Sequence, residues 1–165
     1  EVVLAAATSI AAPLAALARR FGAQRVPVIY ANDNHGRWRS DVRQVVAAAI
    51  EAGGDGAAIA HLLQPQPEDY IVLKPRHSAF HATPLELLLR HLGTRRLVLT
   101  GMSSDQCVLY TAADARMRDY EIVVARDCVA TQSDERQRAA LLHFEQALGL
   151  QTPLSEQIHI GPDAS

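Results

Sequence analysis

The sequence has few cysteines and few aromatic residues, and its positive and negative charges nearly cancel. Only two cysteines, Cys107 and Cys128, occur in 165 residues, so a disulfide-stapled secreted fold is not indicated and a reducing cytoplasm is the expected compartment. Sixteen basic against eighteen acidic side chains give a net charge of −2, which argues against nucleic acid as a partner. Thr8, Ser9 and Pro13 interrupt the Ala-rich opening, and we therefore expect no membrane span.

What remains is the composition of an ordinary globular domain. The apolar fraction is 48% and the charged fraction 21%, both near the averages for folded domains. A chain of this length buries roughly two thirds of its unfolded surface, which is enough for a sizeable core. Because no repeat or linker divides the chain, residues 1–165 are expected to form one domain.

Short apolar runs alternate with helical segments along the chain. The predicted strands are 26–30, 70–74, 96–100 and 121–125, with 158–160 as a candidate edge strand. The predicted helices are 1–21, 41–52, a short piece ending near 63, 83–92, 107–118 and 133–148. The strands are continuously apolar instead of alternating, which is typical of a parallel sheet covered by helices on both faces. The sequence thus predicts a doubly wound α/β fold with a mostly parallel sheet.

In such sheets ligands bind at the carboxyl ends of the strands, where two chemically interesting residues occur. Lys74 ends the second predicted strand, and Cys107 begins the helix that follows the third. Backbone N–H groups at a helix start favour a thiolate and can hold an oxyanion. The alternatives at this point are a small packing residue for Cys107 and a solvated strand end for Lys74.

Four stretches of the sequence carry a more specific signal. They are Val-Pro-Val-Ile-Tyr-Ala-Asn-Asp-Asn at 26–34, Trp-Arg-Ser-Asp at 38–41, Leu-Lys-Pro-Arg-His-Ser-Ala-Phe at 73–80, and the segment from Leu-Thr-Gly to Cys-Val at 99–108. In kind, order and spacing these stretches resemble isochorismatase-like cysteine hydrolases, which are related to N-carbamoylsarcosine amidohydrolases and nicotinamidases. The resemblance runs from the first helix to about residue 155.

The resemblance implies an Asp-Lys-Cys triad, in which Cys107 attacks a carbonyl, an aspartate shuttles the proton, and Lys74 assists both. It also implies a non-proline cis peptide between Met102 and Ser103, with the backbone N–H groups of Ser103 and Cys107 forming the oxyanion hole. A homo-oligomer, either a dimer or a tetramer, is expected as well.

Three further residues are candidates for the substrate pocket. Asn34, Trp38 and Phe80 occur in the stretches that carry the resemblance. The alternative is that Asn34 builds a turn, while the two aromatic residues pack in the core or at a subunit contact.

The sequence departs from the family at its start. Family members begin with a central strand that ends in the triad aspartate, whereas this sequence begins with the helix that follows it. We expect that strand upstream of Glu1, because without it two neighbouring strands would have unpaired edges. Neither Asp33 nor Asp105 matches the motif position of the triad aspartate.

The resemblance implies hydrolysis of a small amide, carbamoyl or ureido substrate through a covalent acyl-enzyme, with no cofactor. Vinyl-ether hydrolysis also occurs in the family without use of the cysteine, so Cys107 favours amide chemistry.

A metal site built on Asp33 and His35, as in nicotinamidases, lacks a defined third ligand, and no metal is expected. Two alternatives to a hydrolase remain. The protein is a catalytically silent homologue that acts as an interaction or scaffold protein, or Cys107 is a redox-sensing thiol that pairs with Cys128. Cys128 is otherwise expected to pack, and His77 to be a rim or structural residue.

Overall fold

The computed structural model describes residues 2–34 and 41–160. Its helices are α1 Val2–Ala23, α2 Val42–Ala52, α3 Gly54–Leu62, α4 Leu85–His91, α5 Leu109–Arg116 and α6 Asp134–Leu142. Its strands are β1 Ile29–Asp33, β2 Tyr70–Lys74, β3 Arg96–Met102 and β4 Glu121–Ala130. A π-helical turn at Ser104–Val108 leads into α5, a second at His143–Ala147 follows α6, and Ser155–Gln157 forms a 3₁₀ turn.

The strands lie close to their predicted positions, with one exception. β2 coincides with its prediction, β1 begins three residues late, and β3 and β4 extend beyond theirs. The candidate edge strand at 158–160 is wrong, because these residues form no strand. Ile158 is instead buried against Leu17 and Phe21 of α1, and an isolated bridge beside β4 joins Gln151 to Val123.

All strand pairing in the described residues is parallel. β1 pairs with β2 in a register that puts Asp33 opposite Lys74. β3 pairs with β4, and the register shifts after Leu99, where Gly101 has a φ of 102° that only glycine adopts without strain. Within the described residues the two pairs form separate two-stranded sheets.

Helices cover both faces of β4, whose side chains alternate between them. Val123 and Ala125 pack in a cluster with Phe21 of α1. Val124 instead belongs to a cluster that contains Ala112 of α5 together with α4 and α6 side chains. Parallel strands between two helical layers confirm the predicted doubly wound α/β fold.

Helix α1 is long enough and apolar enough to cross a membrane, judged by length and composition alone. Core helices of soluble proteins and N-terminal signal sequences share both properties. In this structure α1 packs against β4, α3 and β3. The expectation that the chain does not enter a membrane therefore stays a prediction.

A cavity of about 1030 Å³ lies between β1 and β3. Its wall includes residues of both strands and apolar side chains of α1, and Lys74 and Cys107 also line it. Among the described residues each of these two strands has a pairing partner on one side only. Backbone groups on the second edge of each strand consequently have no ladder partner in the described chain.

Candidate active site

Lys74, the last residue of β2, holds its ammonium group against Cys107. The residue is only 4% exposed, and Nζ lies 3.4 Å from Cys107 Sγ. Nζ also donates to Asp33 Oδ2 at 3.4 Å and to the Arg76 carbonyl oxygen at 3.3 Å. A buried ammonium needs such acceptors, because it has given up its hydration. The predicted contact between Lys74 and Cys107 is confirmed, and Asp33 joins it through the β1–β2 register.

Cys107 lies in the first helical turn after β3. The turn Ser104–Val108 begins directly after Ser103, whose backbone is extended, and the peptide bond from Met102 to Ser103 is cis. This is the position that the resemblance implied for such a bond. The thiol is partly exposed, so a small molecule can reach the sulfur.

His77 is the second side chain in contact with the sulfur. Its Nδ1 lies 3.7 Å from Cys107 Sγ, and its ring stacks on Tyr110 with centroids 5.5 Å apart. His77 and Tyr110 are both exposed, so the imidazole contacts the sulfur at the protein surface. Sequence reasoning expected only a rim or structural residue here, since nothing in the local pattern places residue 77 beside residue 107.

Hydrogen bonds to α5 hold the loop that follows β2. Ser78 is buried and donates through Oγ to Asp114 Oδ2. The Ala79 N–H donates to Thr111 Oγ1 at 3.0 Å, and that hydroxyl donates to the Cys107 carbonyl oxygen at 2.7 Å. Thr111 thereby connects the loop that carries His77 to the turn that carries Cys107. The sequence did not indicate this role, because a threonine inside a predicted helix carries no pattern that points to a particular partner.

Asp105 lies in the turn Ser104–Val108 and binds side chains from other elements. Thr131 Oγ1 donates to its Oδ1 at 2.6 Å, and Arg136 Nε donates to its Oδ2 at 2.6 Å. Burial alone would raise the pKa of Asp105, but these hydrogen bonds and the Arg136 charge together hold it below its ordinary value. Neighbouring Ser104 is fully buried and donates to Gln137 Oε1 at 2.7 Å. The turn is therefore tied to the end of β4 and to α6.

The three candidate pocket residues have different outcomes. Asn34 is buried beside the site, and its backbone N–H donates to the Lys74 carbonyl oxygen at 3.0 Å. Phe80 lines the cavity and also packs in the core, with the Arg118 guanidinium 4.9 Å from its ring centroid. Trp38 lies outside the described residues. Contact of these residues with a substrate stays a prediction.

Metal binding has little support among the residues with described positions. No group of three or more His, Cys, Asp or Glu side chains there is arranged to hold an ion. The nicotinamidase-like metal site considered from the sequence would combine Asp33 with His35, and His35 lies outside those residues. The expectation that the protein binds no metal stays a prediction.

Cys128 is a packing residue, as expected. It is 0% exposed and belongs to the cluster between β4 and α1. Burial, reinforced by the neighbouring Asp127 carboxylate, raises the pKa of its thiol to about 12. The two cysteines thus have different environments: Cys107 Sγ lies 3.4 Å from the Lys74 ammonium, whereas Cys128 Sγ lies 3.9 Å from the Asp127 carboxylate.

Comparison with known proteins gives a consistent result. The Isochorismatase domain family model matches residues 3–155. The isochorismatase family protein YaaI of Bacillus subtilis strain 168 is 38% identical over 132 residues, which cover 80% of this chain and 72% of YaaI. The ureidoacrylate amidohydrolase RutB of Enterobacter sp. strain 638 is 38% identical over 101 residues, which cover 61% of this chain and 44% of RutB.

Solved structures agree with the sequence comparison. The N-carbamoylsarcosine amidase from Thermoplasma acidophilum has a TM-score of 0.74 and 30% identity, with 93% of this chain and 87% of that chain covered. RutB and the N-carbamoylsarcosine amidase are both amidohydrolases, and their similarity to this chain supports a hydrolase activity in general terms. Since the family model spans nearly the whole sequence, this chain belongs to the isochorismatase family.

Proposed function

We propose that this protein is a cysteine hydrolase that cleaves a C–N bond in a small amide, carbamoyl or ureido compound. The observation that carries the proposal is the 3.4 Å contact between the buried Lys74 ammonium and Cys107 Sγ. Two relatives whose names denote a ureido and a carbamoyl substrate support the substrate class.

The geometry fits nucleophilic catalysis through an acyl-enzyme. The Cys107 thiolate adds to the carbonyl carbon, a C–S bond forms, and the oxygen becomes negatively charged. The backbone N–H groups of Ser103 and Cys107 are the proposed donors to that oxyanion. Collapse breaks the C–N bond while the triad aspartate passes the proton that it took from the Cys107 thiol to the leaving nitrogen, which departs as the amine. Water then attacks the thioester and gives a proton back to the aspartate, and the C–S bond breaks to release the acid and the thiolate. The Lys74 ammonium stabilises the negative charge at each stage.

The triad further requires an aspartate, which we propose lies upstream of Glu1 on a strand that occupies the cavity between β1 and β3. The open sides of both strands support this placement, since a parallel strand there would gain ladder partners on both edges. Such a strand would end beside Lys74 and Cys107. Asp33 is the competing candidate, because it already contacts Lys74.

Mass measurement of the protein from its native source tests the upstream strand. An upstream segment should be present, and replacing the aspartate that ends it with asparagine should lower turnover about a hundredfold or more. Asp33→Asn in the same full-length protein should have a much smaller effect. If Asp33→Asn has the larger effect, the acid is Asp33 and the upstream aspartate is wrong.

Hydrolysis of a panel of small amides, carbamoyl compounds and ureides tests the activity itself. Cys107→Ser should reduce turnover about a thousandfold or more, and Lys74→Met about a hundredfold, because nucleophile and activator act as a unit. Cys128→Ser is the matched control and should retain activity. An acyl adduct on Cys107 should be visible by mass spectrometry after rapid quenching. No hydrolysis in the full-length protein would favour a catalytically silent homologue that acts as an interaction or scaffold protein.

Three broader predictions accompany this function. We propose a homo-oligomer, a cytoplasmic location and the absence of nucleic-acid and membrane partners. The near-neutral charge balance supports the exclusion of nucleic acid, and the free cysteines support a reducing compartment.

A further inference from the structure

The side chain of Gln137 on α6 makes two hydrogen bonds at the start of the turn that carries Cys107. Its Oε1 accepts from the Ser104 hydroxyl at 2.7 Å, and its Nε2 donates to the Val129 carbonyl oxygen of β4 at 3.0 Å. We propose that Gln137 is a positioning residue, which through Ser104 holds the two N–H donors of the oxyanion hole in place. The inference rests on the proposed function only in taking the Ser103 and Cys107 N–H groups as those donors.

The two partners of Gln137 determine which way its amide group faces. A backbone carbonyl only accepts hydrogen bonds, so the amide nitrogen of Gln137 faces Val129 and its oxygen faces Ser104. Ser104 is 0% exposed and Val129 is 3% exposed, so neither partner has access to bulk water. Water therefore replaces neither bond unless the backbone moves, and a buried group left without its partner costs free energy.

The two bonds complete a closed frame around the segment that enters the turn. Val129 is paired with Gly101 in the β3–β4 register, and Ser104 follows Gly101 by three residues. Gln137 joins the remaining two ends of this frame, because it binds both Val129 and Ser104. Ser103 lies between Gly101 and Ser104, so its N–H belongs to a short segment that is held against β4 at both ends.

Bonds within the turn make Cys107 follow any movement of Ser103. The Ser103 carbonyl oxygen accepts from the N–H groups of Gln106 at 3.2 Å and Val108 at 3.1 Å, which are the two neighbours of Cys107. A rotation of the turn relative to β3 consequently redirects both proposed donors at once. Loss of one oxyanion donor slows a reaction about 10²–10³-fold, so misdirection of donors that are still present should slow it less, by about tenfold.

Helix α6 is held against the turn by a second contact beside Gln137. Arg136 Nε donates to the Asp105 carboxylate at 2.6 Å, so two successive residues of α6 bind two successive residues of the turn. Arg136 and Asp105 are both partly exposed, whereas Ser104 is fully buried. The bond between Gln137 and Ser104 is therefore the one of the two that water is unable to replace.

Two reagents that react with the same sulfur test the proposal in the full-length protein. With p-nitrophenyl acetate the sulfur adds to the carbonyl carbon, the carbonyl oxygen becomes an oxyanion, and p-nitrophenolate then leaves. With iodoacetamide the sulfur displaces iodide from a CH₂ carbon, and no oxyanion forms. Both reagents consume the thiolate form of the sulfur, so a change in the amount of that form cancels in the ratio of the two rates. Release of p-nitrophenolate gives the acylation rate, and mass spectrometry of the Cys107 peptide assigns both adducts.

The first two variants break the same hydrogen bond from opposite sides. Gln137→Met keeps the length of the side chain and removes both of its hydrogen bonds, whereas Ser104→Ala removes only the hydroxyl. The ratio of the acylation rate to the alkylation rate should fall about tenfold in each variant. The double variant should fall no further than Gln137→Met, because residues that act through one bond are not additive.

Gln132→Met is the matched control. Gln132 is exposed, and its recorded bond is with Arg136 Nη1 and not with the turn, so the variant should keep the wild-type ratio. Labelling at Cys128 reports on folding, because that thiol is 0% exposed in the folded protein. If Gln137→Met is labelled at Cys128, it has not folded correctly and Ser104→Ala decides the outcome.

Equal loss of both rates in a folded variant would give Gln137 a purely structural role and overturn the proposal. An unchanged ratio, a double variant whose loss is the product of the two single losses, or no acylation of wild-type Cys107 would also overturn it. If the ratio falls as expected but no amide is hydrolysed, the inference about Gln137 stands and the proposed function fails.

Discussion

Replacing Thr111 with valine tests how the loop that carries His77 is held. Valine keeps the shape of the side chain but removes the hydroxyl that accepts from the Ala79 N–H and donates to the Cys107 carbonyl. Ala79 is only 3% exposed, so its N–H would lose its partner in a nearly dry position, which costs about 1–3 kcal/mol. Loss of the Thr111 hydroxyl costs less free energy at the Cys107 carbonyl, because a carbonyl oxygen has a second lone pair with which to accept a hydrogen bond.

We therefore expect Thr111→Val to lower the free energy of unfolding by about 2 kcal/mol, which for a chain of this size lowers Tm by about 4–8 °C. Thr8→Val is a close control. Thr8 Oγ1 donates to the Leu4 carbonyl oxygen, four residues earlier, at 2.9 Å, as Thr111 Oγ1 does to the Cys107 carbonyl oxygen, but on an exposed helix face. Thr8→Val should lower the free energy of unfolding by less than about 0.5 kcal/mol. Urea denaturation and thermal unfolding measure both variants. Equal losses in the two variants would refute the reasoning, since only Thr111 holds a buried N–H.

Three other results are expected. Iodoacetamide should modify Cys107 much faster than Cys128 at neutral pH, because burial raises the Cys128 thiol pKa to about 12; equal rates in site-resolved mass spectrometry would contradict this. Because the pKa of Asp105 is depressed in the folded state, its contribution to stability is present above its ordinary pKa of about 4 and is lost as pH falls further. Asp105→Asn should therefore flatten the fall in unfolding free energy on acidification, and an unchanged slope would remove the role given to Thr131 and Arg136. Metal analysis of the purified protein should find no stoichiometric ion, and chelation should leave activity intact; loss of activity would favour a nicotinamidase-like site.

The features that sequence reasoning predicted well are those set by local pattern. The apolar run that ends in Lys74 gave β2 its exact bounds, and the run before Gly101 placed the start of β3. The helix predicted to begin at Ser133 starts there, since α6 begins at Asp134 and Ser133 Oγ accepts from the Arg136 N–H at 3.3 Å. Each of these signals involves residues within a few positions of one another, so local physics is sufficient to identify them.

The features that the sequence did not reveal depend on distant partners. β4 continues through Arg126 and Asp127, which break the apolar run that a buried strand usually shows. Arg126 is tolerated because Glu145 lies 2.8 Å away, and Asp127 accepts two hydrogen bonds from Ser155. The approach of His77 to the sulfur likewise depends on how a loop folds onto a helix thirty positions away.

The division of the described strands into two pairs determines when the contact between Lys74 and Cys107 forms during synthesis. Lys74 ends the first strand pair, whereas Cys107 follows β3 of the second pair. During N-terminal to C-terminal synthesis, the ammonium is made before the thiol, and it reaches the sulfur only after these two halves of the chain dock. In a nascent or half-assembled chain the Cys107 sulfur therefore lacks the neighbouring ammonium, and the contact on which the proposed function rests forms only when the two strand pairs have come together.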